Sequence, residues 1–168
     1  MSRFIVSPYS PAWPKLFEAI REELLLAFSP TVVAIEHIGS TSVPGLAAKP
    51  VIDVVLGAQS LAVIESRIKP LGDLGYAYLS KYEDELPMRR YFVKSPADSL
   101  RIHVHGVEQG SRLWQEYLTF RDALRADDDL RMRYQTLKLH LAEEFADDKA
   151  AYTSAKGPFI QSILRLKA

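Results

Sequence analysis

Cysteine is absent from the 168 residues, which excludes disulfides, cysteine-ligated zinc and a cysteine nucleophile together. The chain also lacks an excess of either charge, since 21 Lys and Arg balance 21 Asp and Glu. Without a basic surplus to hold a phosphate backbone, a nucleic-acid partner is not expected. No apolar run reaches spanning length, and the opening MSRFIVSPYSPAWPKL lacks the basic-then-apolar order of a secretory leader. A membrane partner is therefore not expected, and a cytoplasmic location is. Tandem repeats, low-complexity tracts and long linkers are missing too, so residues 1–168 read as one domain. What is there is an ordinary globular composition, 48% hydrophobic and 25% charged, at a length that supports a sizeable core.

The pattern changes near residue 106. Before it, helical and strand-like segments alternate; after it, nearly everything reads as helix. Ser10 and Pro11 mark a helix start, Trp13, Leu16, Phe17, Ile20, Leu24 and Phe28 follow at helical spacing, and Pro30 stops the run. Thr31 to Ile38 is short and β-branched, and Val51 to Leu56 is apolar except for Asp53, so both predict strands. Leu61, Ile64, Ile68 and Leu71 predict a helix broken near Pro70. Tyr76 to Leu79 predicts a short strand, and Arg90 to Lys94 with Leu100 to His105 a hairpin. Ser111 and Asp127 cap two further helices, and Phe159, Ile160, Ile163 and Leu164 mark a last one.

The segment Glu36 to Val55, EHIGSTSVPGLAAKPVIDVV, carries the most chemical information. Gly39 lets a backbone approach a ligand closely. Ser40, Thr41 and Ser42 offer hydroxyls and N–H groups suited to phosphate oxygens, and Lys49 adds a cation. Asp53 needs a partner on its apolar strand, because burying an unpaired carboxylate costs several kcal/mol. A divalent metal is one such partner; a backbone or Arg hydrogen bond is another. The Gly-Ser-Thr-Ser-Val-Pro-Gly stretch equally suits a plain surface turn. It is neither a Walker phosphate loop nor a dinucleotide fingerprint.

Taken with LGDLGYAYL at Leu71 to Leu79, RIHVH at Arg101 to His105, LTFRDALR at Leu118 to Arg125, YQTLKLHLA at Tyr134 to Ala142 and YTSAKGPFIQSIL at Tyr152 to Leu164, this segment closely resembles the GrpB family of the nucleotidyltransferase superfamily. The resemblance implies an α/β (α+β) fold: a nucleotidyltransferase-like mixed sheet with flanking helices over residues 1–106 and a C-terminal helical part over 107–168. It also implies a site in which Gly39-Ser40 opens a phosphate-binding loop and Asp53 is the first metal-binding, catalytic acid. The superfamily pattern wants a second acid at position 55, which is Val, and a third on a later strand, where Arg101, His103 and His105 alternate on one face.

The implied function is binding of a nucleotide or other phosphate-containing ligand by Gly39, Ser40, Thr41, Ser42, Lys49 and Arg101, with transfer chemistry on an unspecified substrate. Asp53, His103 and His105 are the candidate ligands for one divalent transition metal, since imidazole suits such ions better than magnesium. Two readings from other classes stand beside it. One is a non-catalytic folding or interaction module with a protein partner, as GrpB-like segments also occur fused to dephospho-CoA kinase. The other is a metal-dependent hydrolase built on the histidines. Further residues carry both a functional and a structural reading: His37, Arg89-Arg90 and Glu83-Asp84-Glu85; Arg121-Asp122, chiefly an ion pair docking the helical part; and Lys138 and Lys156, cleft cations or solvated helix surface. Trp13 and Trp114 read as core.

Overall fold

A five-stranded mixed sheet organises the computed structural model, which describes residues 6–167. β1 (Ala34–Ile38) runs antiparallel to β2 (Val51–Ala58), as their sequence proximity suggests, and β2 lies parallel to β5 (Arg101–Glu108). β4 (Arg90–Lys94) forms the expected hairpin with β5, and β3 (Ala77–Tyr78) pairs antiparallel with β4. The sheet order is β1-β2-β5-β4-β3.

Both faces of β2 are covered, which is why its sequence is a continuous apolar run rather than an alternation. Ile52, Val54 and Leu56, with Ile102 and Val104 of β5, pack on Phe17, Leu24 and Phe28 of α1 (Ala12–Phe28). Ile64 of α2 (Leu61–Glu65) and Leu71 of α3 (Ile68–Asp73) complete that core. On the opposite face Ile38, Val55 and Val107 meet Trp114 of α4 (Arg112–Ala126). Arg121 docks this helix on the sheet edge as its sequence suggested. It pairs with Asp122, and its Nη1 donates to Glu36 Oε2 at 3.0 Å and to the His37 carbonyl at 3.2 Å.

The helical part continues as α5 (Asp128–Glu144), α6 (Lys149–Ala155) and α7 (Gly157–Lys167). Ser111, Asp127 and Asp148 accept from the first-turn N–H groups of α4, α5 and α6, satisfying donors that have no partner within the helix. A third apolar cluster joins this part to the loop after β1: Val43 and Leu46 pack with Leu124 and Tyr134, and Phe159 of α7 adjoins them.

Several boundaries differ from expectation. β1 begins at Ala34 rather than Thr31. The helix expected from Leu61 is two short helices that break at Ser66-Arg67; Pro70 falls in the first turn of α3, where a missing N–H is tolerated. The helix expected around Phe159 is preceded by a separate one, capped by Asp148.

Gly57 shows how tightly α4 meets β2. A Cβ there would sit 2.7 Å from a Trp114 ring carbon and 2.9 Å from another. Gly57→Ala is therefore expected to destabilise the protein by about 1–3 kcal/mol through overpacking. A lowered urea midpoint with an unchanged slope is the signature; an unchanged midpoint would show that Trp114 moves aside freely.

Candidate functional site

The parallel pairing of β2 with β5 sets Asp53 opposite His103 and Val55 opposite His105. All three polar side chains share the face that α4 partly covers. Asp53 Oδ1 lies 3.5 Å from His103 Nδ1 and 3.3 Å from His105 Nε2, so both imidazoles are directed at one carboxylate oxygen. The other oxygen faces Gly39: a Cβ on that residue would stand 2.6 Å from Asp53 Oδ2, and Gly39 has a φ of 73°. The glycine is needed both for its left-handed backbone and for the room it leaves the carboxylate. Val in its place would displace Asp53 as well as hinder a ligand.

Ser40–Ser42 forms a single 3-10 turn after Gly39. Of its three hydroxyls, two donate to backbone carbonyls of the loop and of β2. Thr41 donates to the Val51 carbonyl at 3.0 Å, and Ser42 donates to the Gly39 carbonyl. The Ser40 hydroxyl instead meets α5, accepting from Lys138 Nζ at 2.7 Å. Lys138 also donates to the Ala47 carbonyl at 2.8 Å, while the Ala47 N–H donates to Gln135 Oε1 at 2.9 Å. Both polar groups of Ala47 are thus held by one helix. On the outer side of the loop, Arg125 Nε donates to the Ser42 carbonyl at 2.9 Å.

Hydrogen-bond roles settle two tautomers. Arg89 Nη1 lies 3.3 Å from His105 Nδ1, and a guanidinium only donates, so Nδ1 is the acceptor and Nε2 carries the proton toward Asp53. Tyr117 approaches the same Nδ1 at 3.4 Å. Thr41 has given its one proton to Val51, so at 2.9 Å it accepts from His37 Nε2–H. His103 differs from both: its Nε2 is buried and has no hydrogen-bond partner among the described residues.

Burial would raise the Asp53 carboxyl, but hydrogen bonds from His103 and His105 outweigh it and hold the group below the usual carboxylate range. Burial lowers His105, against the pull of Asp53. Burial, with neighbouring Lys156, pushes Lys138 down to about 7 although Asp53 opposes this. Burial also lowers Lys156, again opposed by Asp53. Lys49 falls to about 8 through burial and its neighbours Lys149, Arg101 and Lys156. Lys138 and Lys156 thus lie in the field of Asp53, and Lys49 neighbours Lys149, Arg101 and Lys156.

Asp53, His103 and His105 come together with Gly39 against the carboxylate, while Ser40 meets Lys138, and Lys49 neighbours Arg101 and Lys156. Thr41 bonds to Val51 and His37, and Ser42 to Gly39. Glu83 pairs with Arg90 at 3.6 Å, and His37 stacks on Phe17 with ring centroids 4.8 Å apart. The residue undervalued by sequence reasoning is Lys138, buried at 2% exposure rather than solvated. Its signal was helical spacing, since Tyr134, Lys138 and Leu141 are the buried residues of α5. The two-ion arrangement implied by the superfamily does not fit these residues. Position 55 is a buried valine, both imidazoles address one oxygen of a single acid, and both nitrogens of His105 are engaged. Among the described residues, no group of three or more His, Cys, Asp or Glu side chains is set to hold a metal ion.

His37, 5% exposed, is lowered to about 4 by burial and by nearby Arg125. Its folded value lies below the unfolded one, so between about pH 6.5 and 4 the unfolded chain binds the extra proton and stability falls as pH falls. The whole effect amounts to about 3 kcal/mol. His37→Gln keeps a donor for Thr41 and should reduce the stability lost on going from about pH 7 to about pH 4 in urea unfolding. An unchanged acid loss would show that His37 is not a source of it.

The sequence pattern described as GrpB protein matches residues 3–166. YqkA of Bacillus subtilis is 36% identical over 92% of this chain, which spans 44% of that protein's length. The glutamate-rich protein GrpB of Alkalihalophilus pseudofirmus is 32% identical, over 95% of this chain and 93% of its own. A dephospho-CoA kinase of Mycolicibacterium paratuberculosis is 32% identical over 94% of this chain, and the match takes up 44% of the kinase. Among solved structures, conserved protein GrpB from Enterococcus faecalis superposes with a TM-score of 0.86 at 34% identity, covering 96% of each chain. The Cid1 poly(U) polymerase with Mg 3'-dATP bound superposes at 0.56 and 16% identity, over 88% of this chain and 49% of that one, which establishes likeness to the nucleotidyltransferase fold. A match over nearly every residue, together with a relative and a solved structure matched along almost their whole length, places this chain in the GrpB family.

Proposed function

We propose that this chain binds a phosphate-bearing ligand of the nucleotide class in the cleft between Gly39-Ser40 and the lysines of the helical part, and that transfer chemistry on that ligand takes place beside Asp53. The observation that carries this reading is Lys138, a buried ammonium group whose Nζ rests on the Ser40 hydroxyl. Lys156 reinforces the positive field and Asp53 opposes it. Burying cations beside one another is unfavourable unless an anion joins them. A phosphate group matches the need, since it brings charge and acceptor oxygens to ammonium, hydroxyl and backbone donors. The likeness to Cid1, a polymerase crystallised with magnesium and a nucleotide, supports nucleotides as the first ligands to try.

A second reading has an observation of its own. The match inside a dephospho-CoA kinase supports a role for the segment as a module that stabilises a partner enzyme. Under that reading, Lys138→Met would leave the partner effect intact.

Inorganic phosphate or nucleoside triphosphates at millimolar concentration should raise the melting temperature. Ligand at about 100 times Kd would add about 2.7 kcal/mol. Lys138→Met should weaken that binding by about 10- to 100-fold, the loss of one charge-assisted contact. No stabilisation of the wild type by any of these anions would mark the loop as structural.

Binding should also draw in protons. Lys138, at about 7, is mostly neutral at about pH 8, and a bound anion favours its charged form. Titration calorimetry in two buffers of different ionisation enthalpy should therefore show net proton uptake at about pH 8, falling below about pH 6. In Lys138→Met the uptake should shrink. Uptake that is zero, or equal in the variant, would remove Lys138 from the binding site.

A further inference from the structure

Between the first turns of α1, the end of β1 and the last turn of α4 lies an open cleft of about 320 Å³, near the lower limit for clefts that hold small molecules. Its floor is Phe17 and His37, both buried, with stacked rings whose centroids are 4.8 Å apart. Burial lowers His37 to about 4, so the floor is uncharged near neutral pH. Four charged side chains, Lys15, Glu18, Glu36 and Arg125, surround it.

Glu36 is already offset by Arg121, whose Nη1 stands 3.0 Å from its Oε2. The other three are not offset. Lys15 and Glu18 occupy exposed positions about one helical turn apart on α1, yet make no hydrogen bond or ion pair with any described residue. Arg125 donates from Nε to the Ser42 carbonyl at 2.9 Å, which restrains the guanidinium and leaves both Nη groups without a hydrogen bond among the described residues. The cleft therefore presents two unmatched cations and one unmatched carboxylate around an apolar floor.

We propose that this cleft binds a free acidic α-amino acid, with its α-carboxylate on the Nη groups of Arg125, its ammonium on Glu18 and its side-chain carboxylate on Lys15. A restrained guanidinium with both Nη groups open suits a carboxylate, which it can hold through two parallel bonds. An acidic amino acid carries two negative charges and one positive charge, the complement of the three unmatched groups, and its short methylene stem suits the Phe17 ring. A phosphate ester would bring only negative charge against Glu18. An amino acid with a neutral side chain would leave Lys15 unmatched. Ser40 and Lys138 do not line this cleft, so the site does not depend on phosphate binding beside them. Its occupancy reaches the same loop from another side, because His37 donates to Thr41 at 2.9 Å and Arg125 holds Ser42.

The test titrates the whole isotope-labelled chain, in phosphate-free buffer, with L-glutamate, L-glutamine and glutarate, following backbone amides by NMR. L-Glutamate at millimolar concentration should move the amides of Lys15, Glu18, Thr41 and Ser42 to saturation. L-Glutamine lacks the second carboxylate and glutarate the ammonium, and each should bind about 2- to 5-fold more weakly. Lys15→Met should erase the difference between glutamate and glutamine, and Glu18→Gln that between glutamate and glutarate. Both positions are exposed, so these variants keep the fold. Arg125→Gln should weaken all three probes by about 10-fold. No saturable response to glutamate removes the site. Probes that bind alike, or differences that persist in the Lys15 and Glu18 variants, overturn the ligand class. A response at Lys15 and Glu18 with Thr41 and Ser42 unmoved upholds the site and overturns its link to the loop. Because phosphate is absent, failure here is distinct from failure of the phosphate cleft.

Discussion

Asp53 stands in the middle of a strand whose neighbours are buried and apolar, and the charge of its carboxylate has to be balanced where it stands. Much of the surrounding architecture follows from that constraint. The strand beside it supplies two imidazoles at the pairing position and two residues on. The turn ahead of it carries glycine, because a side chain there would occupy the space of the carboxylate oxygen. Lys138 of α5 and Lys156, between α6 and α7, lie within its field, so this one group also acts on the C-terminal part. The carboxyl remains ionised because the hydrogen bonds to it outweigh its burial.

The same region also holds the two halves of the chain together. Lys138 and Gln135 grip both polar groups of Ala47, Arg125 holds the Ser42 carbonyl, and Arg121 ties α4 to β1. Beneath these bonds, Val43 and Leu46 of the loop enter a cluster with Leu124 and Tyr134. The loop is therefore held by the helical part as well as by its own hydrogen bonds. Any ligand drawn to Ser40 meets Lys138 in the same place, so ligand charge and helix packing act on one side chain.

Likeness of fold and likeness of chemistry separate in this protein. The sheet and helices superpose on a nucleotide-polymerising enzyme at low identity, which speaks for architecture alone. At the site, valine occupies position 55 and histidines occupy the later strand, and these donors suit hydrogen bonding to one acid better than the gathering of two hard cations. A shared scaffold can thus persist while the residues at the corresponding strand positions change.

Local signals were enough to read much of the fold. The period of α1, the caps at Ser111 and Asp127, the uninterrupted apolar run of β2 and the hairpin after Arg90 are interactions among residues near one another in the chain, and composition registers them directly. The motif around Gly39 and Asp53 was legible for the same reason, as was the alternation that sets His103 and His105 on one face. Lys138, by contrast, is held by a loop that lies 91 to 98 residues earlier, and its charge is tuned by Lys156 and Asp53 from two other segments. The proton on His105 is placed by Arg89, and the approach of His103 to Asp53 depends on the register between β2 and β5. Spacing along a chain determines which face a residue occupies; which partners meet it there, and so which groups hold charge or protons, is decided only when distant segments pack.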